Sequence, residues 1–125
     1  MDPQWPVRLF NKSVLKQRKL KEIALLLGET EGLQCLDIGS DNGVISYLLR
    51  QRGGRWKSAD LDDAAVRSTR ELVQSDVYQI DGRRTPFGTD EFDIVVIVDF
   101  LEHIQDDLGF VGELRITGHE RALAN

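Results

Sequence analysis

Four aspartates stand where the chain leaves an apolar run, and carboxylates at such points accept hydrogen bonds from hydroxyl and amine donors. They are Asp37, Asp60, Asp81 and Asp99. The first opens Asp37-Ile38-Gly39-Ser40-Asp41-Asn42-Gly43, in which Gly39 and Gly43 allow a sharp backbone turn and a close approach to a ligand. A helix starting there would point free N–H groups at whatever binds. Tight packing alone also explains two glycines four apart, so the turn is a weak signal by itself. Asp60 lies 21 residues after Gly39, a separation that suits acceptance from both hydroxyls of a ribose. Leu61 behind it could lie against a purine ring. Asp81-Gly82 suits an exocyclic amine such as that of adenine, or is a plain Asp-Gly turn. Asp99 precedes Phe100-Leu101-Glu102-His103, where a His beside a Glu is more often a structural pair than an acid–base pair. Cys35, inside an apolar run, reads as a small buried hydrophobe rather than a nucleophile.

These residues need a scaffold that brings strand ends together. Residues 1–10, with Pro3 and Pro6, read as an irregular lead-in. Val14, Leu15, Leu20, Ile23, Leu26 and Leu27 predict a helix from Ser13 to Leu27, stopped by Gly28. Residues 33–38 predict a strand. Val44, Ile45, Leu48 and Leu49 predict a helix ending at Gly53-Gly54, and 55–59 a weak strand around Trp56. Asp62 or Asp63 can cap a helix from Ala64 to Val73, and 77–80 forms a third strand. Phe92–Val98 is apolar on both faces, as the middle strand of a parallel sheet must be. A last helix is predicted over 105–116. The alternation defines an α/β fold, a Rossmann-like parallel sheet with helices on both faces and right-handed crossovers. Ligands of such a sheet bind beyond the carboxyl ends of the strands, and three of the four strands finish on an acid.

The composition bounds the function. The chain has 125 residues, 41% hydrophobic and 30% charged, with a single cysteine, which leaves no disulfide framework or multi-cysteine metal centre. No metal is called for. No apolar run approaches the ~20 residues of a membrane span, and no secretory signal is present, so a cytoplasmic location is expected. Residues 1–27 carry six Lys/Arg against two acids, a net +4, whereas 28–125 carry ten against nineteen, a net −9. A body of that sign repels polyphosphate, so no nucleic acid partner is expected. The basic helix 13–27 reads first as a solvated face and also permits peripheral contact with an acidic membrane surface.

Together the motifs resemble those of class I S-adenosylmethionine-dependent methyltransferases, small-molecule branch. Leu36–Gly43 looks like their glycine-rich first motif and Ala59-Asp60-Leu61 like the acidic second. Asp81-Gly82 with Pro86-Phe87 and Glu91–Val96 is similar to the third motif and fourth strand, and Leu101–Ile104 to the tetrapeptide that follows. The resemblance implies that Asp37, Gly39 and Gly43 surround the methionine end of S-adenosylmethionine. It further implies Asp60 on the ribose with Leu61 against adenine, Asp81 and Gly82 at the adenine amine, and Asp99 and Phe100 near the sulfonium. The acceptor would be a small or lipid-linked molecule, and no catalytic base is assigned. Two departures stand out. Asp41 replaces the family's middle glycine, and after Ile116 the chain reads Thr117-Gly118-His119-Glu120-Arg121 instead of a Lys-Pro-Gly-Gly-like turn and three more strands. The expectation is therefore residues 1–28 as lead-in and basic helix, and 29–125 as an incomplete methyltransferase core truncated after the fourth strand. In the family's order, 3-2-1-4-5-7-6, that strand would have an open edge, a route to a homodimer. Two alternatives carry weight: a non-catalytic S-adenosylmethionine-binding or dimerising module, and an NAD(P)-dependent oxidoreductase. The latter wants G-x-G-x-x-G, and here Asp41 and Val44 break that pattern.

Overall fold

The computed structural model describes residues 4–39, 42–81, 86–88, 90–98 and 118–124. Two helices, α1 (Trp5–Asn11) and α2 (Val14–Leu27), precede β1 (Gln34–Ile38), α3 (Val44–Gln51), β2 (Arg55–Asp60), α4 (Asp63–Val73), β3 (Val77–Gln79), β4 (Phe92–Val98) and β5 (Gly118–Ala124). The strands form one parallel sheet in the order β3-β2-β1-β4-β5. The α/β class and the order of the first four strands are as expected from the sequence.

Two expectations need correction. The lead-in is a helix, α1, because Pro6 sits in its first turn, where a missing N–H costs nothing and the fixed φ is already helical. The edge of β4 is not open. Residues 118–124 lie parallel to it, pairing Phe92 with Gly118 and Val98 with Ala124 through two register shifts. The backbone groups on that side of β4 thus find partners within the chain, and a homodimer built on a free β4 edge loses its premise. The helix expected at 105–116 lies outside the described residues.

Local chemistry explains the other elements. Ser13 caps α2, its Oγ accepting the Lys16 N–H at 3.2 Å, and Gly28 ends the helix at φ +67°. Asp62, rather than Asp63, caps α4 by accepting the Ala65 N–H at 3.1 Å. The sheet buries both faces. Cys35, Trp56, Ile94, Val96 and Val98 pack with Phe10, Ile23 and Leu27 of α1 and α2 and with Leu49 of α3. Leu36, Ile38, Ala59, Ile80, Val95 and Ile97 form the core of the opposite face. There Phe87 stacks edge-on between Tyr78 and Phe92, at centroid distances of 5.2 and 5.1 Å. Glu91 braces this loop by accepting from Gly88 N–H at 2.9 Å and Lys57 Nζ at 2.8 Å.

Candidate functional site at the strand ends

The register of the sheet decides what meets at its carboxyl edge. Ile38 pairs with Ala59, and Asp60 pairs with Gln79, so Gly39, Asp60 and the start of the 80–81 segment leave the sheet side by side. Two hydrogen bonds prolong the ladder past the strands: Gly39 N–H to the Ala59 carbonyl and Ile80 N–H to the Asp60 carbonyl, both 3.0 Å. Adjacent strands lie about 4.8 Å apart, so the β1, β2 and β3 exits span roughly 10 Å.

Gly39 and Gly43 both have left-handed backbone, at φ +84° and +94°. At Gly43 the requirement is doubled, since a Cβ there would come within 2.7 Å of Thr69 Cα on α4. Packing of α4 against the turn thus demands this glycine. Asn42 completes the turn: its Oδ1 accepts the Val44 N–H at 3.1 Å, and its carbonyl accepts Ser68 Oγ at 2.7 Å.

Asp37 lies beneath this turn with no exposed surface. Its Oδ1 accepts from Ser46 Oγ, and its Oδ2 accepts from Ser58 Oγ at 2.6 Å. Arg50 Nη1 stands 3.7 Å from Oδ2 and donates to Ser58 Oγ at 2.7 Å and to the Ser46 carbonyl at 3.2 Å. Its Nη2 reaches the carbonyls of Trp56, Ser75 and Asp76, each at 3.4 Å. Burial pushes the Asp37 carboxyl above its ordinary value and Asp60 adds to the rise, while Arg50 and the two hydroxyls oppose it. Both carboxylate oxygens are engaged inside the fold, tying β1 to the first turn of α3 through Ser46 and to β2 through Ser58. Ser46, Ser58, Arg50 and Asn42 were not singled out from the sequence. The available signal was Ser46 and Arg50 four apart, a polar pair on the helix face that buries Val44, Ile45 and Leu49.

Asp60 is half-buried at the end of β2, where its Oδ1 accepts the Asp62 N–H at 3.2 Å. Leu61 packs against the core of the second sheet face, and its carbonyl accepts Gln79 Nε2 at 3.2 Å. Asp81 is exposed one step beyond Ile80. Gly82, Asp99 and Phe100, like Asp41 and His103, lie outside the described residues. The described set brings two carboxylates, an apolar side chain and a glycine turn of left-handed backbone to one edge of the sheet. That chemistry fits a nucleoside bearing a ribose diol and an amine. No cluster of described residues could hold a metal ion. Cys35 is buried, and burial pushes its thiol up to about 11, out of nucleophilic range.

The profile of a methyltransferase domain family matches residues 36–116. Among curated proteins, the ubiquinone biosynthesis O-methyltransferase of Paramagnetospirillum magneticum is 32% identical over 91 residues, covering 70% of this chain and 36% of that protein. The protein of the same name from Stutzerimonas stutzeri is 27% identical over 81 residues, covering 60% and 35%. The chain thus spans about a third of the length of these relatives. Among solved structures, a SAM-dependent methyltransferase from Aquifex aeolicus superposes with a TM-score of 0.74 at 18% identity, covering 94% of this chain and 68% of that one. The YcgJ protein from Bacillus subtilis gives 0.71 at 20% identity, covering 78% and 44%. At such identities the structures share the fold.

Proposed function

The chain belongs to the methyltransferase domain family, and from that membership we propose that it binds S-adenosylmethionine at the β1–β3 exits and serves methyl transfer to a hydroxyl oxygen. The acceptor in this reading is a small or lipid-linked molecule. Oxygen as the acceptor atom is supported by the names of the two curated relatives, both O-methyltransferases. A cytoplasmic setting goes with the reading, on the composition with its single cysteine.

The observation that carries the proposal is the juxtaposition of Gly39, Asp60 with Leu61, and Asp81 on three adjacent strand exits. In the reading, Asp60 accepts from the ribose diol, Leu61 covers a face of the purine and Asp81 accepts the exocyclic amine. Gly39 and Gly43 let the backbone close on the amino-acid end, with Asp37 holding the turn from below. When bound, S-adenosylmethionine supplies a methyl group already activated by its sulfonium, so the protein's task is mainly proximity and orientation. No described residue is assigned as a base. The acceptor's hydroxyl proton needs only an exit to solvent or to a group supplied elsewhere.

Titration calorimetry with S-adenosylhomocysteine tests the binding half without any acceptor. A saturable one-to-one heat is expected, and NADH should give none. Binding of NADH in place of S-adenosylhomocysteine would overturn the assignment.

A further inference from the structure

Helix α2 has two apolar sides, and only one of them is used by the core. Leu20, Ile23 and Leu27 face inward, whereas Val14, Leu15, Leu25 and Leu26 are exposed, Leu25 to 83% and Leu15 to 76%. A surface helix normally confines its apolar residues to the buried stripe. Four outward aliphatic side chains on 14 residues therefore form a face in want of a partner.

The charges on that face indicate which partner. Val14, Arg18, Lys21 and Leu25 fall at i, i+4, i+7 and i+11, on one line along the helix. Two cations thus stand between two aliphatic side chains, and Val14, Gln17, Arg18 and Lys21 line a groove of about 280 Å³. Gln17 is committed to the α1–α2 junction, where its Nε2 donates to the Phe10 and Asn11 carbonyls at 3.0 and 3.1 Å. Those two bonds tie the end of α1 to α2. Lys12, Lys16, Arg18 and Lys21 form no ion pair with any described residue.

We propose that the outward face of α2 docks on the headgroup region of an anionic lipid bilayer, its aliphatic side chains entering the interface and Arg18 and Lys21 meeting lipid phosphates. Lysine is depleted from the cores of protein–protein interfaces, where its ammonium would have to be desolvated. At a bilayer surface the same side chain lays its stem along apolar groups and keeps its charge among phosphates. The charge division of the chain supplies the orientation. The first 27 residues carry net +4 and the remainder −9, so an anionic surface attracts this end and repels the rest. Helix α2, about 21 Å long, would lie in the plane of the surface. The inference is independent of the cofactor reading.

Vesicle co-sedimentation of the full chain tests it. Binding is expected to vesicles of phosphatidylcholine mixed with phosphatidylglycerol and not to phosphatidylcholine alone, and it should fall with added salt. Each basic residue at such a surface is worth about five-fold in partitioning, so Arg18→Ala with Lys21→Ala should lower it about thirty-fold. Leu25→Ser should lower it about ten-fold. All three positions are exposed, so thermal melts of the variants should match the parent. Absence of binding to the anionic vesicles, or binding that these substitutions leave unchanged, would overturn the proposal. So would dimers in light scattering that the same substitutions dissolve, since the face would then belong to a second copy.

Discussion

Removing Arg50 should leave a buried carboxylate without its counter-charge, and the damage should depend on pH in a defined direction. In Arg50→Met the side-chain volume is roughly kept, while the ion pair to Asp37 and five donated hydrogen bonds are lost. Asp37 has no exposed surface, and breaking a buried pair from one side costs about 3–5 kcal/mol. That is a large share of the roughly 5–15 kcal/mol that holds a domain together. The pH dependence follows from the direction of the Asp37 shift. Its folded-state pKa is raised by burial above the unfolded value, so the folded state holds this proton more tightly. Stability therefore falls as pH rises from the ordinary aspartate range through the raised folded value, then levels off. Arg50 is the largest influence lowering that pKa, so its loss raises the value further and extends the falling limb. The penalty of Arg50→Met should be greatest at neutral pH and shrink in acid, where Asp37 is protonated. Urea unfolding of both proteins across pH, followed by circular dichroism, measures this. A penalty below about 1 kcal/mol at neutral pH would refute the reasoning, since surface pairs cost no more than that. A penalty independent of pH would refute the electrostatic part.

Asp60→Ala should weaken S-adenosylhomocysteine binding by about 1.5–3 kcal/mol in calorimetry, the range for hydrogen bonds to a charged group, and an unchanged affinity would remove Asp60 from the ribose. Gly43→Ala combines left-handed backbone with a Cβ pressed on Thr69, and should cost about 2–4 kcal/mol in urea unfolding. Should that variant be as stable as the parent, the fit of α4 against the turn is wrong. Cys35, buried with its thiol pushed up to about 11, should resist a thiol reagent at neutral pH until the chain is unfolded. Modification of the native protein at the rate of a free thiol would contradict that burial.

The elements readable from sequence are those whose local preference and tertiary role agree. Phe92–Val98 consists of residues that suit strands and is apolar on both faces, so its length, type and central position follow from its composition. The acids that end the apolar runs are legible for the same reason, because parallel strands send their last residues to one edge. With those two facts the carboxyl edge of the sheet, with Gly39, Asp60 and Asp81 along it, can be drawn from the sequence. Three features could be decided only by the folded chain. The segment Gly118-His119-Glu120-Arg121-Ala122-Leu123-Ala124 is rich in good helix formers, yet it is a strand, because β4 presents a ladder of backbone groups that some segment must satisfy. Pro6 marks an irregular start when read alone and an N-terminal helical turn once Phe10 has a core to enter. Asp37 belongs by type to the same set as Asp60 and Asp81. Its position one residue before the end of its strand places it among Ser46, Arg50 and Ser58, residues up to 21 positions away. Sequence records that a carboxylate is there; only the packing of a helix over the strand determines whether it faces a ligand or the interior.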